Sequence, residues 1–464
     1  MDREPSRSID VGALIDGGPW TLFQKGMLGL VSLAVVLDGF NNQIIGFALP
    51  AILADWHRQR ADFVGVIAAG LGGMAIGTIL GGMAGDRFGR KPALVASVLL
   101  FGLATTATSA AMGPLSFGIL RLIAGIGIGA ALPNAATLAA EFTPSRDRPM
   151  AVTCTIVCVP LGGVFGGLLA ARVLPTIGWR ALYQMGGAAP LVVAVALIFL
   201  LPESPRFLAR HSSRGLELQA FLRRCGLRPA EGVTLMEEQK QTGGKERHGL
   251  RALFDGFYRR DTLALWGAVF CTQAAVYLVF SWLPAMLGDR GLSLAITSNA
   301  LAAHNVGGVL GALLGAGAIG LVGSRRTMIA LAIGAVVVAA ALGFVVIDPA
   351  RSLLGLMVLL TAHGFFLNAV QTTLYALAAH IYLTRVRATG SGAALGVGRL
   401  GGILSAFAGA AVLAGGSRVY FEFLALAMAG SALGLALIGR HIPPAKAATG
   451  LGASTEGIRS SIAP

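Results

Sequence analysis

The stretch that decides the fold is a charged turn with the sequence Gly81-Gly82-Met83-Ala84-Gly85-Asp86-Arg87-Phe88-Gly89-Arg90-Lys91. It joins two apolar stretches, roughly residues 63–84 and 92–112, each long enough to cross a membrane as a helix. One acid, three bases and several glycines in so short a connection predict a tight turn held by charge. An ordinary basic loop closed by a glycine turn is the alternative interpretation.

The composition of the whole chain agrees with a membrane protein. Of 464 residues, 55% are hydrophobic and 12% are charged, and the mean hydropathy is +0.74. Soluble domains carry about 25% charged residues, and long apolar runs satisfy their backbones in lipid as helices. The net charge of +14 is explained by bases that collect in cytoplasmic loops. We therefore predict an all-α polytopic membrane protein and expect the lipid bilayer, and no nucleic acid, as its partner.

Twelve spans follow from the apolar runs. They are roughly residues 26–53, 63–84, 92–112, 115–140, 150–173, 182–202, 262–287, 295–321, 327–347, 353–379, 389–414 and 419–439. With the N-terminus inside, seven of the 36 Lys and Arg fall outside and two within spans, which leaves 27 on the cytoplasmic side. The positive-inside rule then places both termini in the cytoplasm.

The spans divide the chain into two bundles with polar connections. The predicted segments are a cytoplasmic N-terminal tail (1–25), an N-terminal six-helix bundle (26–202), a cytoplasmic central loop (203–261), a C-terminal six-helix bundle (262–440) and a cytoplasmic C-terminal tail (441–464). The central loop could hold a small regulatory domain, but its length favours a linker with amphipathic helices. It opens with Pro202-Glu203-Ser204-Pro205.

The two halves repeat with an offset of 239 residues. Gly125 then falls on Gly364, Arg148 on Arg387, and residues 161–163 on 400–402, without a gap. Two parallel six-helix repeats with a substrate site near the midplane are typical of secondary transporters. The second copy of the opening turn, residues 323–326, lacks the acid.

Charged residues inside spans are functional candidates because charge in the hydrocarbon is costly. By the helical rise, Asp38 lies about 20 Å beyond Lys25, and Arg399 lies about 18 Å beyond Arg387, so both reach mid-membrane depth. Asp38 could bind a transported proton, and Arg399 could grip a carboxylate with two hydrogen bonds. The alternative is a structural pair in which the two neutralise each other.

Two further charged residues lie on the fourth span. Arg121 is expected in its outer half, where it could assist proton transfer, bind substrate or extend toward the headgroups. Glu141 lies at its cytoplasmic end. We group Glu141 with Asp38 and Arg121 as proton-coupling candidates, and expect it to pair with the basic loops and stabilise one state of the cycle.

A binding site for an aromatic ring is predicted on the tenth span, with contributions from the first and seventh. Gln371 and Tyr375 share one face of the tenth span because they are four residues apart. The predicted binding residues, besides Arg399, are Phe40, Asn41, Tyr277, His363, Phe366, Gln371 and Tyr375. Aromatic side chains in membrane helices also serve as packing or lipid-facing residues. His304 and His363 could titrate near neutrality or be polar packing residues.

The charged turn resembles the loop between the second and third helices of the major facilitator superfamily, a family of secondary transporters. Arg121-Leu122-Ile123-Ala124-Gly125 resembles its fourth-helix motif, and Glu141, Pro144 and Arg148 match the loop that follows. The resemblance implies the major facilitator fold. The residues expected to form a conformational latch are Gly85, Asp86, Arg87, Gly89, Arg90 and Arg148.

Within that superfamily the chain resembles the aromatic acid:proton symporters. The motifs include residues 38–47, similar to the family's D-G-F-D-x-x-x-x-G-F, together with residues 129–134, 281–284, 374–379 and 395–401. The resemblance implies proton-driven uptake of benzoate-like acids in which first-helix acids and the eleventh-helix arginine matter. Asn41 stands where the family has its second first-helix acid, and an amide does not titrate.

The sequence therefore predicts a proton-coupled importer of small aromatic carboxylates, such as 4-hydroxybenzoate or benzoate, in a bacterial inner membrane. We expect a monomer that works by alternating access, with no cofactor or metal and the proton gradient as its energy source. The alternatives are a transporter of another organic anion such as a sugar acid or nicotinate, a drug exporter, and a transporter-like receptor. An enzyme is not expected, because the sequence contains no nucleophile–base motif, metal cluster or phosphate-binding loop.

Overall fold

A computed structural model describes residues 8–227, 234–236, 253, 254, 256, 258–382 and 387–444. Twelve of its helices are long and apolar enough to cross a membrane, which confirms the predicted number of spans. Residues 1–7 of the predicted N-terminal tail, residues 445–464 of the predicted C-terminal tail and most of the central loop after residue 227 lie outside the described residues.

The helices are numbered in chain order. They are α1 (Val11–Asp16), α2 (Leu22–Trp56), α3 (Ala61–Phe88), α4 (Arg90–Thr108), α5 (Pro114–Phe142), α6 (Arg148–Thr176), α7 (Trp179–Leu200), α8 (Pro205–Ala209), α9 (Gly215–Arg224), α10 (Arg259–Gly288), α11 (Leu294–Val322), α12 (Ser324–Gly343), α13 (Leu354–Ile381), α14 (Arg387–Ala414) and α15 (Gly416–Leu437). Two three-residue strands, β1 (Ser8–Asp10) and β2 (Thr234–Met236), pair in parallel with Ser8 opposite Thr234.

The connection that decides the fold is tighter than the sequence predicts. α3 continues to Phe88 and α4 begins at Arg90, so Gly89 alone turns the chain. Its φ of 108° is in the region that favours glycine. Gly323 makes the corresponding turn between α11 and α12 with a φ of 85°. The charges of residues 85–91 therefore lie on two helix ends instead of in a loop.

The chain divides into an N-terminal unit, Met1–Gly243, and a C-terminal unit, Gly244–Pro464. In the N-terminal unit, α5 packs closely on α3, and α6 on α2; in the C-terminal unit, α13 packs on α11 and α14 on α10. A β-carbon on Gly125 would overlap the backbone of α3, and one on Gly364 would overlap the backbone of α11. A β-carbon on Gly162 would likewise overlap the backbone of α2, and one on Gly401 would overlap the backbone of α10. Glycines paired by the repeat thus make matching helix contacts in the two units.

One end of the N-terminal unit is closed by five aromatic side chains, here called the aromatic cap. They are Trp56, Phe63, Phe117, Trp179 and Tyr183, contributed by α2, α3, α5 and α7. Neighbouring ring centroids are 5.3–6.0 Å apart, within the range of favourable aromatic pairs. The cap fixes four helices to one another at this end.

At the other end of the same unit, α9 packs its apolar side against the long helices. Phe221 contacts Phe23 and Phe142 at centroid distances of 6.0 and 5.6 Å. Leu218 and Leu222 are buried as well, while Arg223 and Arg224 at the end of the helix are exposed. Burial also raises the pKa of the neighbouring Cys225 thiol to about 12, so this cysteine stays protonated and unreactive at neutral pH.

Candidate functional site

The C-terminal unit contains an open cavity of about 210 Å³ between α10, α13 and α14. Its lining residues are Val269, Thr272, Gln273, Gln371, Leu374, Tyr375, Ala378, Ala379, Ser391, Ala394 and Leu395. This volume is below the range of about 300–1,000 Å³ that is usual for drug-sized ligands, so the cavity suits a smaller one. Gln371 and Tyr375, two of the predicted binding residues, lie side by side on its wall.

Three polar lining residues were not predicted from the sequence: Thr272, Gln273 and Ser391. Gln273 is 5% exposed, and its Oε1 has no hydrogen-bond partner among the described residues; the same holds for Ser391 Oγ. Burying polar atoms without partners costs free energy, so these two are suited to meeting a polar group of a ligand. Gln273 could have been suspected from the sequence, because it lies one turn before Tyr277 on the same helix face.

Arg399 and Tyr277 meet one helical turn beyond this cavity. Arg399 Nη1 donates a hydrogen bond to the Tyr277 hydroxyl, and its guanidinium carbon lies 5.8 Å from the centre of the tyrosine ring. Gln273 and Leu395 line the cavity four residues before Tyr277 and Arg399 on their respective helices, a rise of about 6 Å. The structure thus brings together two residues that the sequence places 122 positions apart.

Phe366 and His363, the other predicted binding residues of the tenth span, do not line this cavity. The Phe366 ring lies against α12, where a β-carbon on Gly334 would be 2.5 Å from it. His363 is 1% exposed, and its Nδ1 lies 3.2 Å from Nε2 of His304 on α11. The face that carries Gln371 and Tyr375 is therefore distinct from those that carry Phe366 and His363.

The polar cluster of the N-terminal unit centres on Asn41. Its side-chain Nδ2 donates to the carbonyls of Leu37 at 3.0 Å and Gly186 at 2.9 Å, which joins α2 to α7. Arg121 of α5 donates from Nη1 to the Asn41 carbonyl at 3.2 Å. Asp38, 4% exposed, lies three residues earlier on α2. Three predicted residues are thus grouped in the interior of this unit, and Asn41 is held by bonds that need a donor.

Phe40 is buried in helix packing. Its ring fills a slot between α6 and α7 that two glycines leave open: a β-carbon on Gly166 would overlap the ring, and one on Gly186 would be 3.0 Å away. The side chain is 6% exposed. Its predicted role in ring binding would require this slot to open.

The latch residues of the charged turn hold the ends of α3, α4 and α5 together. Arg90 forms an ion pair with Asp86 and donates from Nη1 to Asn134 Oδ1 at 3.4 Å. Asn134 in turn donates to the carbonyls of Gly81 and Ala130, both at 2.9 Å. A β-carbon on Gly85 would overlap Asn134. Arg87 is exposed and lies over the Phe88 ring.

Glu203, which the sequence analysis did not select, is the main partner of this turn. It is 3% exposed, and its Oε1 accepts hydrogen bonds from three backbone amides: Arg90 at 2.9 Å, Lys91 at 3.1 Å and Ser204 at 2.8 Å. A carboxylate on the first amides of α4 satisfies their donors and interacts favourably with the helix dipole. Glu203, which follows the sixth span, therefore caps the start of α4, the third span.

We expect Gly89→Ala to lower the stability of the protein by about 1–3 kcal/mol, because a left-handed backbone strains a non-glycine residue. The added β-carbon would also overlap Glu203. Thermal unfolding of the purified protein measures the effect. Gly82→Ala is the matched control, since its β-carbon meets nothing within 4 Å. Equal melting temperatures for the two variants would contradict the role given to Gly89.

Arg148 and Glu141 belong to neighbouring contacts at the same end of the unit. Arg148 Nε donates to the Ala140 carbonyl at 2.8 Å, and Nη2 forms an ion pair with Asp16 at the end of α1. Glu141 accepts a hydrogen bond from the Ser204 hydroxyl. Arg148 thus ties the end of α5 to α1, and within the described part of the chain its hydrogen bonds and ion pair do not reach the charged turn.

Comparison with known proteins agrees with this architecture. The sequence model of the Major Facilitator Superfamily matches residues 31–406. The chain is 35% identical to a protein of Pseudomonas putida described as a gallate transporter, over 93% of the chain and 94% of that protein. It is also 35% identical to the 4-hydroxybenzoate transporter PcaK of Acinetobacter baylyi, over 88% of each.

Solved structures support the fold. The xylose transporter XylE of E. coli, in a partially occluded inward-open conformation, matches with a TM-score of 0.73 and 17% sequence identity. The match covers 91% of this chain and 99% of that one. The predicted twelve-helix transporter fold and the predicted family resemblance are confirmed, and membership of a transporter family assigns this chain transport and not an enzymatic reaction.

Proposed function

Because the chain belongs to the Major Facilitator Superfamily, we propose that it imports small aromatic carboxylates, such as 4-hydroxybenzoate or benzoate, together with protons. Relatives described as gallate, 4-hydroxybenzoate and benzoate transporters support this cargo. The excess of bases in alternate loops favours cytoplasmic termini, and the bacterial relatives favour a bacterial inner membrane. The proposed transporter works as a monomer, without a cofactor, on the energy of the proton gradient.

The single observation that carries the proposal is the position of Arg399 and Tyr277 one turn beyond the cavity. A guanidinium binds a carboxylate through two parallel N–H donors, and the mainly apolar cavity suits an aromatic ring. With the carboxylate at Arg399, the ring extends into the cavity toward Gln273. The unpartnered Oε1 of Gln273 can then accept a hydrogen bond from a ring hydroxyl. The turn that separates the two groups is about the length of a para-substituted benzene ring.

In the proposed cycle, protonation of Asp38 accompanies binding of the anion by Arg399. Asp38 is a buried carboxyl in a spanning helix, the kind of group that carries protons in transporters. Arg121, bonded to the Asn41 carbonyl, contributes a fixed positive charge close to this part of α2. Neutralising both the acid and the arginine lowers the cost of changing conformation in a low-dielectric interior.

The test is saturable uptake of radiolabelled 4-hydroxybenzoate into sealed proteoliposomes with an acidic exterior. Neutral aromatic acids cross lipid by themselves and collect in alkaline vesicles, so initial rates are corrected with protein-free liposomes. We expect a proton-stimulated rate that benzoate and gallate reduce by competition. An absence of saturable uptake in vesicles with folded protein would contradict the proposed cargo. Competition by nicotinate or a sugar acid alone would assign a different anion.

A further inference from the structure

Two histidines of the C-terminal unit are buried against each other. His304 on α11 and His363 on α13 are 0% and 1% exposed. His304 Nε2 lies 3.2 Å from His363 Nδ1, and the ring centroids are 5.4 Å apart. Gly364 allows this approach, because a β-carbon there would overlap the His304 carbonyl. Close packing of two glycine-containing helices therefore sets the distance between the rings.

The pair has an open proton site in either tautomer. A neutral imidazole has one N–H and one lone pair, so the bond between the rings leaves one of each at the outer nitrogens. These are His304 Nδ1 and His363 Nε2, and neither has a hydrogen-bond partner among the described residues. Buried polar groups are normally hydrogen-bonded. Two nitrogens without such partners, at the outer ends of one hydrogen-bonded pair, indicate a function other than packing.

An aromatic ring of α10 packs against the pair. Phe280 of α10 stands edge-on to His304, with a centroid distance of 6.5 Å. The other titratable or charged groups on α10, α11, α12, α13 and α14 are Arg259, Arg260, Asp261, Cys271, Tyr277, Arg325, Arg326, Tyr375, His380, Arg387 and Arg399. Of these, Tyr277 is connected to the pair through Phe280, since the centroids of the Tyr277 and Phe280 rings are 6.4 Å apart.

We propose that the His304–His363 pair binds one proton of the transport cycle, as a second proton site that compensates for the untitratable Asn41. The inference rests on the proposed proton symport. The incoming proton adds to the unprotonated outer nitrogen, and the pair then carries one positive charge around the bridging N–H···N bond. Loss of the proton from the outer nitrogen of the other ring, with the bridging proton changing rings, restores the neutral pair.

This site is connected to the proposed anion site by packed side chains. His304 contacts Phe280, Phe280 contacts Tyr277, and Tyr277 accepts a hydrogen bond from Arg399. A positive charge on the pair strengthens the field that attracts a carboxylate to Arg399. Bound anion must favour protonation of the pair to the same extent, because coupling between two binding sites is reciprocal.

The experiment counts the protons taken up when 4-hydroxybenzoate binds to purified protein in weakly buffered detergent, with a pH-sensitive dye. We expect His304→Gln and His363→Gln each to take up about one proton fewer per bound anion than the unmodified protein, as linkage requires. His380→Gln is the matched control, since His380 lies exposed at the end of α13. An unchanged count in the two pair variants would overturn the inference.

A second measurement leaves the pair intact. In protein that retains His304 and His363 while the other five histidines are replaced, ¹⁵N NMR of labelled imidazoles follows protonation with and without anion. We expect one shared titration that moves to higher pH when the anion binds. Rings that stay neutral from pH 4 to 8 in both states would overturn the inference. Binding without proton uptake by the unmodified protein would instead contradict the proposed symport, and no binding would contradict the cargo.

Discussion

Asp38→Asn is expected to lower sharply the stimulation of uptake by a proton gradient while leaving exchange of substrate across the membrane. Asparagine has nearly the shape of aspartate but is always neutral. The variant can therefore bind the anion and change conformation, but its equilibrium between conformations no longer responds to protons at this position. Asp38 is 4% exposed, so its replacement by asparagine also removes a charge that is costly to bury.

Initial rates with and without an inward gradient measure this effect. We expect the ratio of the two rates to fall towards one in Asp38→Asn, because the gradient then acts only through a proton bound elsewhere, as at the His304–His363 pair. Counterflow of labelled against unlabelled substrate shows that the variant still cycles. Asp62→Asn, an exposed acid in the first turn of α3, is the control. An unchanged ratio in Asp38→Asn would remove this residue from coupling.

Arg399→Lys is expected to weaken binding of an aromatic carboxylate by about ten- to a hundred-fold, the equivalent of one charged hydrogen bond. Lysine keeps the positive charge but loses the planar pair of donors that matches a carboxylate. It also loses the arrangement in which Arg399 donates to the Tyr277 hydroxyl. Tyr277→Phe separates these contributions, because it removes the phenol and leaves the guanidinium.

Competition with labelled 4-hydroxybenzoate measures both affinities. The amide analogue, 4-hydroxybenzamide, has no carboxylate, so we expect its weaker binding to change much less in Arg399→Lys. Arg418→Lys is the control; Arg418 is exposed and paired with Glu422 within α15. Equal losses for the acid and the amide would indicate that Arg399 supports the structure and does not bind the carboxylate.

The sequence predicted the features that depend on the pattern of residues along the chain. Apolar runs and the glycine turn at Gly89 are local patterns, and the internal repeat is visible when the two halves of the sequence are compared. The structure has twelve spans with matching glycine contacts. Arg121 and Asn41 were selected because polar groups in lipid are costly, and they meet in the interior of the N-terminal unit. Gln371 and Tyr375 were selected from their spacing, and they share the cavity wall.

Contacts between helices were beyond these patterns. Glu203 lies 113 residues from Arg90, and its role depends on where the end of α7 meets the start of α4. The bond between His304 and His363 depends on the register of α11 against α13, which their glycines set. Phe366 shares a helix with Gln371 but lies against α12. Spacing along one helix cannot decide which neighbour each face will meet.

Asn41, where this chain departs from the family pattern, has a structural role that the sequence did not show. Its amide donates to two carbonyls, from Leu37 and Gly186. A carboxylate offers no donor and a protonated carboxyl offers one, so an acid at this position could keep at most one of these bonds, and only while protonated. The amide keeps both bonds at every pH and therefore holds α2 against α7 independently of protonation. The sequence alone showed the loss of a titratable group, whereas the structure shows what the replacement holds in place.

The aromatic cap determines how the N-terminal unit can deform. Asp55 reinforces the cap by accepting hydrogen bonds from Trp179 Nε1 at 3.0 Å and Arg180 Nη1 at 2.7 Å. Sliding any one of the four capped helices would separate several edge-on ring pairs together, and packed interfaces change between discrete arrangements instead of deforming gradually. This end of the unit therefore acts as a rigid lever: motion generated elsewhere in the unit is transmitted through it as a rotation, without being absorbed by bending.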